Sequence, residues 1–302
     1  MLVQVTSVFL DVVTPVFAIV ALGYVLGPRL GLDARTLART AYYVFVPAFT
    51  FHVIAASRVP LGRTVRMAVF AVLVHLAFAA TGWAAARALR RPREMAAAYV
   101  MIAVFGNVGN FGLALIRFRL GEEALAPATI YFIAILVVAF VVCVGAAGWV
   151  RGGGLGAAGS ILKTPALLVV PPAVAVSSAG IRVPLLVERM VGLLADAMIP
   201  TMLFALGLQL AGIRRFRLTA DAAVASAVRL VAAPALAAVA VPLFGLTPLE
   251  RAAGVLQAGM PVAVLVSIIA MEYEVAPEFV TTTVFFSTLC SLLTLTVLLS
   301  VV

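Results

Sequence analysis

Apolar residues fill this chain in long stretches that are closed by short clusters of arginine, glycine and proline. A membrane-spanning helix takes about 20 such residues at about 1.5 Å of rise each. Ten stretches qualify: about 4–26, 35–56, 64–88, 95–117, 123–149, 163–180, 184–210, 217–243, 249–273 and 277–301. Little chain is left between them, so the pattern predicts an all-α polytopic membrane protein of ten transmembrane helices, with no soluble domain or long linker. No lysine or arginine precedes the first stretch, which therefore reads as a helix rather than a cleaved leader.

Two of the stretches carry an interruption. In the fourth, Gly106-Asn107-Val108-Gly109-Asn110-Phe111-Gly112 places two amides and three glycines inside an apolar run. In the ninth, Gln257-Ala258-Gly259-Met260-Pro261 does the same with a proline, which has no N–H and clashes with the preceding turn. The three glycines alone would also suit close helix packing. Asn107 and Asn110 favour a break, because two amides at mid-membrane are costly unless they face polar partners. Gly106 and Gly259 lie 153 positions apart, as do Pro47 and Pro200. A chain of 302 residues that repeats at half its length predicts two repeats, 1–150 and 161–302, joined by a glycine-rich loop at 151–160. Five helices per repeat is an odd number, so the repeats have opposite orientation. Inverted five-helix repeats with broken crossover helices 4 and 9 are a pattern of secondary transporters.

Composition agrees with the pattern: 65% of residues are hydrophobic, 11% are charged and the mean hydropathy is +1.21. The net charge of +9 does not indicate nucleic acid, since the basic residues sit in short loops where they set orientation. Alternate loops collect twelve on one side (Arg29, Arg35, Arg39, Arg87, Arg90, Arg91, Arg93, Arg151, Lys163, Arg214, Arg215, Arg217) and eight on the other. The richer side is expected to be cytoplasmic, which puts both termini outside a bacterial inner membrane.

Candidate chemistry is sparse. The Gly154, Gly156, Gly159 pattern has no strand before it and reads as a hinge, not a dinucleotide site. Two histidines and scattered acids make no convincing metal or nucleophile constellation, so neither a metal, a cofactor nor enzymatic activity is expected. Cys143 and Cys290 read as small apolar residues. The expected substrate site is Asn107, Gly109, Asn110, Gln257, Gly259, Met260 and Pro261. Half-helices restarting after each break direct bare N–H groups and positive dipole ends at an anion, and Gln257 is placed to cap freed groups. Three ionisable residues lie near mid-depth: His75, Asp196 and Arg229. They are candidates for coupling or charge tuning, and an Asp196–Arg229 pair is one reading of them.

The chain resembles the auxin efflux carrier family, which is related in fold to the bile-acid sodium symporters. The resemblance runs nearly end to end. It is carried by Pro15 with Leu22-Gly23-Tyr24, the Asn107-to-Gly112 segment, Lys163-Thr164-Pro165, Ile199-Pro200 through Leu206-Gly207 and Leu210, Met260-Pro261-Val262-Ala263, and Ser287-Thr288 with Ser291 and Thr294. It implies a scaffold from 1–63 and 161–213 and a transport domain from 64–150 and 214–302. Plant carriers of this family use Asn-Pro-Asn at the crossover, where the first segment here reads Asn107-Val108-Gly109-Asn110. Here the second crossover is Gly259-Met260-Pro261 and lacks the asparagines, so auxin is not indicated. Bacterial members are linked to malate, malonate and similar weak acids, and the plant branch dimerises through its scaffold, so a homodimer is an expectation. The sequence thus points to a carrier for a small organic anion such as a mono- or dicarboxylate, with proton or sodium coupling left open. The alternative is an anion channel or ligand-sensing membrane protein without a transport cycle.

Overall fold

The structure, a computed structural model, describes Thr6 and residues 9–56, 61–151, 165–212 and 219–302. The 151–160 loop with its Gly154, Gly156 and Gly159, and the Lys163-Thr164 pair, lie outside the described residues apart from Arg151. Among the described residues the chain is all-helical, and six helices are long and apolar enough to cross a membrane. These are α1 (Phe9–Arg29), α3 (Leu61–Ala88), α6 (Leu125–Arg151), α8 (Leu185–Ala211), α9 (Ala220–Phe244) and α12 (Pro277–Val301). Between them lie α2 (34–56), α4 (Arg93–Val104), α5 (108–120), α7 (Val170–Ala179), α10 (Pro248–Ala258) and α11 (Val264–Glu272).

Proline shapes several of these helices in the same way. The chain widens to five-residue π-turns at Phe9–Val13, Ala41–Phe45 and Val228–Ala232, and Pro15, Pro47 and Pro234 each follow two residues later. Proline cannot donate to the carbonyl four residues back and its ring crowds that carbonyl, so the helix opens one residue wider just before it. Pro200, the sequence counterpart of Pro47, sits in uninterrupted α8 without such a turn.

The helices sort into two groups. Helices α1, α2, α7 and α8 pack on one another, and α3–α6 pack with α9–α12. The α1–α8 crossing is close because it is made on glycine. A side chain at Gly23 would strike the Phe204 carbonyl, and one at Gly207 would strike the Val20 carbonyl. Contact between the groups is thin by comparison. It includes Phe17 of α1 set edge-on against Phe111 of α5, ring centroids 5.0 Å apart.

Candidate functional site

The helical run from Arg93 stops at Val104 and resumes at Val108, and the run from Pro248 stops at Ala258 and resumes at Val264. Both interruptions are buried. Backbone freed from a helix in such a place needs partners, and the two gaps supply them to each other. Gly106 and Val262 form an isolated antiparallel bridge. The Asn107 N–H donates to the Pro261 carbonyl at 2.7 Å, and the Ala263 N–H donates to the Phe105 carbonyl at 2.9 Å. The Val262 N–H donates to Ser287 Oγ of α12 at 3.2 Å. Gly259 and Met260 turn their N–H groups back onto the end of α10. The backbone donors of 259–263 are therefore spent within the protein, not left bare for a ligand as the sequence suggested. The orphan amides lie one step further on. The first amides of α5 and α11, including those of Gly109, Asn110, Val264 and Leu265, have no acceptor in their own helix.

Arg229 ties the two interruptions together. It projects from the π-turn of α9 and is fully buried. Its Nε donates to the Met260 carbonyl at 2.9 Å and its Nη1 to the Ala103 carbonyl at 3.0 Å. In an unbroken α4 the Ala103 carbonyl would receive the Asn107 N–H, which the crossing diverts to Pro261. Nη2 has no hydrogen-bond partner and lies against Gly106, where any side chain would collide with it. The guanidinium carbon stands 5.6 Å from the Phe78 ring centroid.

The Asp196–Arg229 pair does not form. Asp196 is exposed on α8, whereas Arg229 is enclosed among carbonyls of the other group. Depth along a helix was readable from the sequence, but the side of the helix was not. His75 does approach Arg229, through Phe78, which its ring meets edge-on at 4.6 Å. Its Nδ1 donates to the Ala71 carbonyl at 2.9 Å, and its Nε2, fully buried, has no partner. Tyr131 lies edge-on to the same imidazole at 5.4 Å. Gln257 does not cap its own break. Its Nε2 donates to the Ala128 carbonyl of α6 at 3.3 Å, and its unpartnered Oε1 occupies the space beside Gly112.

Asn107 is 5% exposed and its Nδ2 is buried without a partner. Asn110 is half-buried at the head of α5, and Gly109 packs against Phe132. Two orphaned donors, Asn107 Nδ2 and Arg229 Nη2, thus stand at adjacent residues of the first interruption. Sequence reasoning did not find Phe78, Tyr131 or the Ala103 carbonyl, and it named Met260 for the substrate and not as an acceptor for Arg229. A lone aromatic in an apolar span, or a backbone carbonyl anywhere, carries no sequence signal.

The model of the family described as "Membrane transport protein" matches residues 8–152 and 161–299. The chain belongs to that family. It is an auxin efflux carrier relative, a multi-pass membrane transporter. The transporter is also 30% identical over 302 residues to a protein of Rhizobium meliloti (strain 1021) named "Putative malonate transporter", covering 95% of this chain and 93% of that one.

Proposed function

We propose that the transporter is a secondary carrier that moves a small organic anion, a mono- or dicarboxylate, across the bacterial inner membrane by alternating access. The observation that carries this reading is the crossing of the two interruptions with orphaned donors beside it. Asn107 Nδ2 and Arg229 Nη2 are buried and unpaired, and the amides of Gly109 and Asn110 head α5 close by. Donors without acceptors at the positive end of a helix suit a carboxylate. The malonate named for the Rhizobium relative is an anion of that class.

In this reading the chain has ten spans in two inverted repeats. The spans interrupted at 105–107 and 259–263 are the fourth and ninth. Helices α1, α2, α7 and α8 (1–63 and 161–213) form the scaffold, and the rest (64–150 and 214–302) form the moving domain. The thin contact between the groups suits such motion. Both termini face outward. Asn107 and Asn110 hold the carboxylate, while Arg229 and His75 set the local field.

Counterflow of labelled malonate and a panel of carboxylates into proteoliposomes tests this reading, with pH and sodium gradients varied. Saturable exchange is expected, with about a tenfold loss for the double variant Asn107→Ala, Asn110→Ala, the effect of removing one or two charge-assisted hydrogen bonds. Wild-type exchange in that variant, well folded in detergent, would remove the site. Unitary currents in a planar bilayer would replace the carrier with a channel.

A further inference from the structure

The Ala103 carbonyl lies in the last turn of α4, and the Met260 carbonyl lies in the unwound chain two residues past the end of α10. A helix C-terminus carries about half a negative charge, which favours a positive one beside it. Here the two carbonyls converge in the interior on a single guanidinium. Buried carbonyls of unwound chain and of a half-helix C-terminus are also the kind of ligand set that takes an alkali cation. We infer that Arg229 is the resident counter-ion of the crossing, occupying with a covalently attached charge the place that a bound sodium ion would otherwise need to fill. This inference rests on the carrier reading for its importance but not for its geometry.

Three features fit the guanidinium to that task. Its fork reaches a carbonyl of each interrupted span at once, which an ammonium cannot do with the same geometry. The π-turn Val228–Ala232, opened by Pro234, supports the residue at the level of the crossing. Gly106 leaves room for Nη2 on the far side. Arg229 is a positioning residue in this scheme. It holds the two interruptions in register, and no metal cation is required between them.

Thermal melting of the detergent-purified protein tests the inference without reference to any substrate. The wild type is expected to melt at the same temperature in sodium chloride and in choline chloride. R229K keeps the charge and R229M keeps much of the length, so melting temperature is expected to fall in the order arginine, lysine, methionine. R229A is expected to melt lowest, and to be raised by methylguanidinium but not by methylammonium, with no such rise in the wild type. A sodium-specific rise in the wild type would overturn the inference. So would equal melting of R229K and R229M, or no response of R229A to methylguanidinium. If R229A does not accumulate, the sodium comparison and the Lys–Met pair decide. Failure of malonate counterflow with these melting results intact would remove the proposed substrate and leave the counter-ion.

Discussion

At the scale of single residues, the crossing depends on positions whose side chain is missing as much as on those that have one. Gly106 is the clearest case, because Arg229 Nη2 fills the space a methyl group would take. Gly106→Ala must displace the guanidinium from the Ala103 and Met260 carbonyls or shift the backbone bridge to Val262. Overpacking of this kind costs about 1–3 kcal/mol. The variant is expected to melt several degrees lower and, if the proposed carrier reading holds, to lose carboxylate counterflow, and paired melting and flux measurements check both. Asn107 and the proline at 261 were legible in the sequence, because amides and a missing N–H are conspicuous in an apolar run. Arg229 was legible as an anomaly, yet its partners were not, since they are carbonyls of alanine and methionine. The Asp196–Arg229 pairing misled because position along α8 fixes the height of Asp196 and not its direction.

At the scale of elements, the half-helices are short and rely on their ends. Helix α10 starts with a reciprocal cap. The Thr247 N–H donates to Glu250 Oε2 at 2.7 Å, and the Glu250 N–H donates to Thr247 Oγ1 at 3.3 Å. That cap anchors the end opposite the crossing, so its loss lets an eleven-residue helix fray toward the site. Thr247→Ala is expected to cost about 1 kcal/mol. A lower melting temperature with partly retained flux is the expected result, and an unchanged melting curve would show that the crossing alone holds α10. The apolar stretches showed in the sequence where helices lie, since their length is set by the bilayer. The π-turns were not legible, because a proline in a span indicates a disturbance without saying whether the helix widens, as before Pro234, or continues, as around Pro200.

At the scale of the whole molecule, two helix groups meet across a seam that includes Phe17 and Phe111. If the groups slide past each other during transport, fixing this contact stops the cycle. Phe17→Cys with Phe111→Cys, in a chain whose Cys143 and Cys290 are replaced, is expected to lose counterflow when bridged by a short thiol-cleavable cross-linker and regain it on reduction. Full flux in the bridged protein would place the motion elsewhere. The membrane character and transport family of the chain were legible from composition, spacing and motif order. The grouping of α1, α2, α7 and α8 came only from the resemblance, because lipid-facing and partner-facing surfaces of a spanning helix are both apolar and leave little periodicity to read.

The buried guanidinium has an electrical consequence. Arginine stays protonated under any physiological condition, so in the proposed carrier the moving domain would bear a permanent positive charge at the crossing. A domain loaded with a monovalent anion would travel nearly neutral, while the empty one would cross the field as a cation. One elementary charge moved through 100 mV is worth about 2.3 kcal/mol. Membrane potential would then act on the unloaded return stroke, and the direction in which such a carrier runs fastest would follow the voltage as well as the cargo gradient.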